Sequence, residues 1–241
     1  MRHEATATGR ALQSAAACLM VLAAACSTGR VEPGPPAGAA AAGRVLLPRG
    51  YDDSRRYPVV VLLPASNGRA DQLLRYYQPA RDAIVVLAAG VGAPADYRTG
   101  ERWTRTVERY ERQLRADLEA LGNDRRIDAS RVVLVGFSMG GDLAWALALR
   151  NPSLVSGAVV MASRASYRGR PGDLRTLADR GARFYFTMGE DEERSRIAGN
   201  EAARRLLDSE GVAHRYRRIP GGHVRAPADV FEEALDYVLR R

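Results

Sequence analysis

A chain of 241 residues, 46% of them hydrophobic, holds one domain with a full core and room for short appendages. Its formal net charge is +8, and with no lysine present all 36 basic residues are arginine. That charge is interleaved with 28 acidic residues and no aromatic platform accompanies it, which excludes a nucleic-acid-binding arm.

Residues 1–25 carry the marks of a targeting segment. Arg2 and Arg10 give a basic start, and Ala11 to Ala25 an apolar run too short to span a bilayer. The run ends Leu22-Ala23-Ala24-Ala25-Cys26, which resembles the lipobox of bacterial lipoproteins. That resemblance implies lipidation of Cys26 and a cell-envelope location, with the membrane engaged only through the anchor. After Cys26 the chain has no cysteine, as suits an oxidising compartment without a disulfide. An ordinary cleaved signal peptide, or an Ala-rich extension, is the other reading of these residues. Residues 26–43 are rich in Pro, Gly and Ala and predict a flexible tether.

From Arg44 the pattern becomes structured. Val45-Leu46-Leu47 predicts a strand, and the continuous run Val59 to Leu63 a central strand buried on both faces. Asp82 to Ala89 predicts another strand. Trp103, Val107, Tyr110, Leu114, Leu118 and Leu121 recur at helical spacing, with Glu108/Arg112 and Glu111/Arg115 as i,i+4 pairs on the solvent side. Val132 to Val135 is a buried strand that runs straight into Gly136-Phe137-Ser138-Met139-Gly140, followed by the helical run Asp142 to Leu149. Further strands are expected at 158–162, 183–188 and 215–219, and helices at 200–210 and 228–239. Strands alternating with helices imply an α/β fold, with a parallel sheet covered on both sides.

Gly-x-Ser-x-Gly between a strand and a helix is a nucleophile elbow. The turn forces the serine into a sparsely populated backbone conformation, and strand and helix pass so close that only glycine fits two residues either side. Ser138 is thereby the candidate nucleophile, and the Met139 amide at the helix start a candidate oxyanion donor. A serine hydroxyl needs a base and an orienting carboxylate, in the chain order Ser, acid, His. Of three histidines, His3 lies in the leader and His214 inside a predicted strand. His223 follows Ile219-Pro220-Gly221-Gly222, a turn after the last strand, and is the candidate base. The acid belongs just past the strand ending at Met188, where Glu190, Asp191, Glu192 and Glu193 crowd together. Asp191 is favoured over Glu192 because the shorter acid is commoner in this role, although spacing does not separate them. The second oxyanion donor belongs in the loop Pro64-Ala65-Ser66-Asn67-Gly68.

Val45 to Asp52, Arg56 to Leu63, the elbow, and Pro220-Gly221-Gly222-His223 together resemble the α/β-hydrolase superfamily over 44–241. More narrowly they resemble its esterase branch, of the esterase D, feruloyl-esterase and enterochelin-esterase type. The resemblance implies a mostly parallel sheet with helices on both faces, and a serine carboxylesterase taking a small-molecule ester. Relatives carry His-Gly where this chain has Pro64-Ala65. Pro64 has no amide hydrogen, so the donor expected from this loop moves to the backbone amide of Ser66 or Asn67, with Ser66 the candidate carried forward. About eighteen residues, Arg164 to Gly181, separate two core strands, too few for a cap domain, and an open site is expected. No metal or organic cofactor is implied, since no His/Cys cluster has ligand spacing. A peptidase of the same fold, and a non-catalytic envelope binding protein, are the competing readings.

Overall fold

The computed structural model describes residues 31–32, 43–77, 82–89 and 100–240. The expected leader over 1–25, Cys26 and most of the expected tether over 26–43 lie outside the described residues. Eight strands form one sheet in the order β1-β2-β4-β3-β5-β6-β7-β8. They are β1 Val31–Glu32, β2 Arg44–Leu46, β3 Tyr57–Leu63, β4 Ile84–Leu87, β5 Ile127–Phe137, β6 Gly157–Met161, β7 Arg183–Gly189 and β8 Ala213–Ile219. β3 to β8 are mutually parallel, whereas β2 is antiparallel to both β1 and β4. β1 takes in two residues predicted as tether; two residues followed by Pro33 are too short for a periodic signal.

Among the described residues five α-helices accompany the strands: α1 Gly100–Asp124, α2 Met139–Arg150, α3 Asp173–Asp179, α4 Arg194–Ser209 and α5 Ala228–Leu239. Strand alternation sorts the core into two faces. Val59, Val61, Leu134, Val160 and Phe186 point toward residues of α1, α2, α3 and α4. Val60, Leu62, Val135, Val159 and Tyr185 point toward α5 and toward Leu73 and Tyr77, in and just past a single 3-10 turn at Asp71–Leu73. Because both faces are covered, β3, β4, β6 and nearly all of β7 are buried along their whole length, which is why they read as nearly continuous apolar runs, aliphatic in β3, β4 and β6 and aromatic in β7.

α2 is the most enclosed element. Every residue from Met139 to Leu149 is buried, as a helix apolar on all sides must be. α1 covers it with an apolar stripe, and Glu111 on α1 receives Arg150 at the end of α2 at 2.6 Å. The same Glu111 lies 3.7 Å from Arg115, so this part of the charged face of α1 is an interhelical tie as well as a solvated surface. α3 and the 3-10 turn carry too few periodic residues to be legible in the sequence.

Candidate active site

The elbow is built by close approach. A Cβ at Gly136 would fall 1.9 Å from the carbonyl oxygen of Gly140, and one at Gly140 would fall 2.8 Å from that of Leu63. Glycine is therefore obligatory at both positions, and the loop leaving β3 runs alongside the first turn of α2. Ser138, between β5 and α2, has φ 58° and ψ −120°, a strained geometry that costs about 1–3 kcal/mol. Ser138 N–H donates to Met161 O at 2.9 Å and Asp142 N–H to Ser138 O at 3.0 Å. These bonds hold the turn against β6 and α2.

His223 reaches the same point from the far side of the sheet. It hangs in the loop between β8 and α5, where Gly221 has φ 101°. A Cβ at Gly189, the last residue of β7, would lie 1.8 Å from Gly222 O, so the base loop is seated directly on the end of β7. His223 Nε2 lies 2.8 Å from Ser138 Oγ. Its other nitrogen, Nδ1, lies 2.7 Å from Glu192 Oε2. An ionised carboxylate only accepts, so the imidazole proton sits on Nδ1 and Nε2 is left to accept from the serine hydroxyl.

The carboxylate at His223 is thus Glu192 and not Asp191, which corrects the preference drawn from sequence. The reason lies in the turn after β7. Glu190 N–H donates to Ile219 O and Asp191 N–H to Gly221 O, both at 2.9 Å, which ties the backbone to the base loop and leaves Asp191 exposed. Glu192 is the next residue and turns inward, its side chain only 3% exposed. Its second oxygen accepts the Glu193 amide at 3.0 Å and faces Arg196 Nε at 3.4 Å. The sequence held one clue, an arginine four residues on in the first turn of α4.

Of the other expected residues, Met139 opens α2, where amides have no partner inside the helix. Ser66 is exposed in a turn closed by Gly68 N–H donating to Ala65 O at 2.9 Å. His214 stays in β8, its Nδ1 3.2 Å from Val212 O, and takes no part. Three further features escaped the sequence pattern. Phe137 lies with its ring centre 4.9 Å from that of His223, and Arg225 stands 4.6 Å from the Phe137 ring centre. Arg225 in turn donates to Gln72 at 2.6 Å, joining the base loop to the segment that follows β3. Finally, buried Asp142 accepts the Ser163 hydroxyl at 2.7 Å and the Ala165 amide at 3.0 Å. It thereby holds a segment in which Ala162 and Ala165 have φ 47° and 46°. Asp142 is the one acidic residue of an otherwise largely apolar helix, a signal that was available.

Among the described residues no group of three or more His, Cys, Asp or Glu side chains is placed to hold a metal ion.

The chain has counterparts among known proteins. The model of the family described as "Putative esterase" matches residues 38–241. The chain belongs to this esterase family. A Bacillus cereus carboxylesterase shares the fold with a TM-score of 0.65 at 21% identity, over 81% of this chain and 93% of that one. A thermostable esterase gives 0.60 at 18%, over 87% of this chain and 61% of that one. A protein of Bacteroides ovatus described as a "putative dipeptidyl aminopeptidase IV" gives 0.61 at 16%, over 87% of this chain. The chain spans only 35% of that last protein's length. A search of curated protein sequences returned no match.

Proposed function

We propose that this esterase is a serine carboxylesterase that works through an acyl-enzyme. The observation that carries the reading is the unbroken relay Ser138 Oγ, His223, Glu192, with contacts of 2.8 and 2.7 Å. In this reading His223 Nε2 takes the Ser138 proton as Oγ bonds to the ester carbonyl carbon. Negative charge gathers on the carbonyl oxygen, where the Met139 amide and a backbone amide at Ser66 donate to it. Glu192 holds the imidazole in the right tautomer and stabilises the imidazolium. As the carbon–alkoxide bond breaks, the imidazolium passes its proton to the leaving alcohol. The acyl group remains on Ser138. Water, deprotonated by the same His223, then attacks the acyl-enzyme and releases the acid, which restores the serine.

The substrate class follows from access. The connection from β6 to β7 holds only the seven-residue α3, and His223 keeps 38% of its side-chain surface. An open site of this kind suits a short acyl group, or an ester projecting from a larger glycan, better than a long acyl chain that needs an enclosing tunnel. The lipobox-like run at Cys26 adds a cell-envelope location through a lipid anchor. A hydrolysis screen of aryl esters of graded acyl length, with a dipeptide amide alongside, tests the chemistry. Turnover falling with acyl length supports the proposal. Cleavage of the amide alone would make the chain a peptidase, and no turnover would make it a binding protein. Labelling by a palmitate analogue, lost in Cys26→Ala, tests the anchor.

A further inference from the structure

A cavity of about 560 Å³ opens at the end of the sheet opposite Ser138. Ser130 and Arg131 of β5, Ser156 just before β6, Arg183 at the start of β7, and Arg180 and Arg240 line it. No carboxylate does. Arg131 is tied to Asp128 at 2.9 Å, whereas Arg180, Arg183 and Arg240 have no carboxylate partner among the described residues. Arg183 rests instead against Tyr237, 5.5 Å from the ring centre, and Arg215 shares that ring at 4.6 Å. Arg180 and Arg240 follow the C-termini of α3 and α5, where a cation is favoured whatever it faces. Arg183 lies at the start of a strand and at no helix terminus. Arg180, Arg183 and Arg240 line one cavity with no carboxylate among its lining residues; cations so gathered repel one another until an anion joins them, and the planar guanidinium fork matches the oxygens of a phosphate.

Chain direction says which anion. β1 is antiparallel to β2, and β2 to β4, so β1 runs with the parallel strands. The chain therefore enters β1 at the amino ends of the parallel strands, the ends at which the cavity also lies. Cys26 stands five residues before Val31, a reach of at most roughly 17 Å when extended. An anchor there brings this end of the domain to the bilayer.

We propose that the arginine-lined cavity binds the phosphate of anionic phospholipid headgroups, setting the domain on the membrane with Ser138 directed away from it. The charge argument is independent of the ester chemistry, whereas the choice of a lipid phosphate and the orientation both rest on the anchor reading.

The test is co-sedimentation of the full chain with vesicles of phosphatidylglycerol and phosphatidylcholine, and with phosphatidylcholine alone. The ratio of the two affinities cancels any apolar leader or acyl chain, which contributes equally to both. Arg180→Gln/Arg240→Gln is expected to lower that ratio about twenty-five-fold, at roughly fivefold per arginine near an anionic surface. Arg105→Gln/Arg112→Gln, on the exposed face of α1, removes the same net charge and is expected to change it less than about twofold. Hydrolysis of a soluble aryl ester is read in parallel and stays at the wild-type rate in both variants, so a failure here is separable from failure of the esterase mechanism. Equal loss in the two variants, or none in the first, overturns the proposal. So does calorimetric binding of inorganic phosphate without any preference for anionic vesicles, which would make the ligand a free anion.

Discussion

Replacing Glu192 by Gln removes one charge and almost no volume. The amide can still accept from the Glu193 N–H, which the carboxylate now receives at 3.0 Å, so the turn into α4 keeps its shape. Arg196 loses a partner at 3.4 Å but keeps Glu193 at 3.5 Å, and for a carboxylate this buried the cost in stability is about 1–3 kcal/mol. At His223 the effect is large. A Gln amide group facing Nδ1 favours the tautomer with its proton on Nε2, where it points at Ser138 and cannot accept from it. Neutralising a triad acid in this way lowers kcat about 10⁴-fold, which is about 5.4 kcal/mol of transition-state stabilisation at 1.36 kcal/mol per tenfold. Asp191→Asn touches an exposed side chain, and its backbone bond to Gly221 O survives, so the expected loss is under about tenfold. Aryl-ester hydrolysis, with thermal melting as a control for folding, reads both variants. A collapse in Asp191→Asn with Glu192→Gln unaffected would refute the assignment of the acid.

In Gly189→Ala the new methyl meets Gly222 O at 1.8 Å and Gly221 O at 2.4 Å. Both are backbone atoms, so the His223 loop must shift, and kcat is expected to fall on the order of 10²-fold in a protein that still melts cooperatively. Asp142→Ala removes the acceptor of the Ser163 hydroxyl proton and one of the two acceptors of the Ala165 amide; denaturant unfolding should show a loss of about 1–3 kcal/mol. Burial pushes the Asp117 carboxyl up, and hydrogen bonds from Gln113 and Gly43 only partly offset this. A carboxyl with a raised folded-state pKa destabilises the fold once it ionises. Asp117→Asn is therefore expected to melt no higher than wild type below about pH 3.9 and to gain on it as pH rises through the raised value. A melting difference that stays constant with pH would contradict that.

The sheet was largely legible because strands buried on both faces leave continuous runs such as Val59 to Leu63 and Val132 to Val135. Ser138 and His223 could be named because each follows a strand end in a glycine-rich turn, and the structure brings them within hydrogen-bonding distance. The acid could not be separated from its neighbour. Asp191 and Glu192 are adjacent on a turn whose direction is set by bonds from Glu190 and Asp191 to Ile219 and Gly221, about thirty residues away, and local pattern carries no record of such contacts. Helix α4 begins at Arg194, ahead of the expected 200, because the Glu192–Arg196 pair extends it past its apolar stripe. The ties from Gln72 to Arg225 and from Asp142 to Ser163 join segments that sequence places far apart.

The account's central claim is an acyl group carried on Ser138. Intact-protein mass spectrometry after rapid mixing with an aryl ester, followed by peptide mapping, measures it directly. The wild type should gain the acyl mass on the peptide that contains Ser138, Glu192→Gln should gain it slowly, and Ser138→Ala should gain none and turn over no ester. An adduct on any other residue, or ester turnover undiminished in Ser138→Ala, would contradict the account.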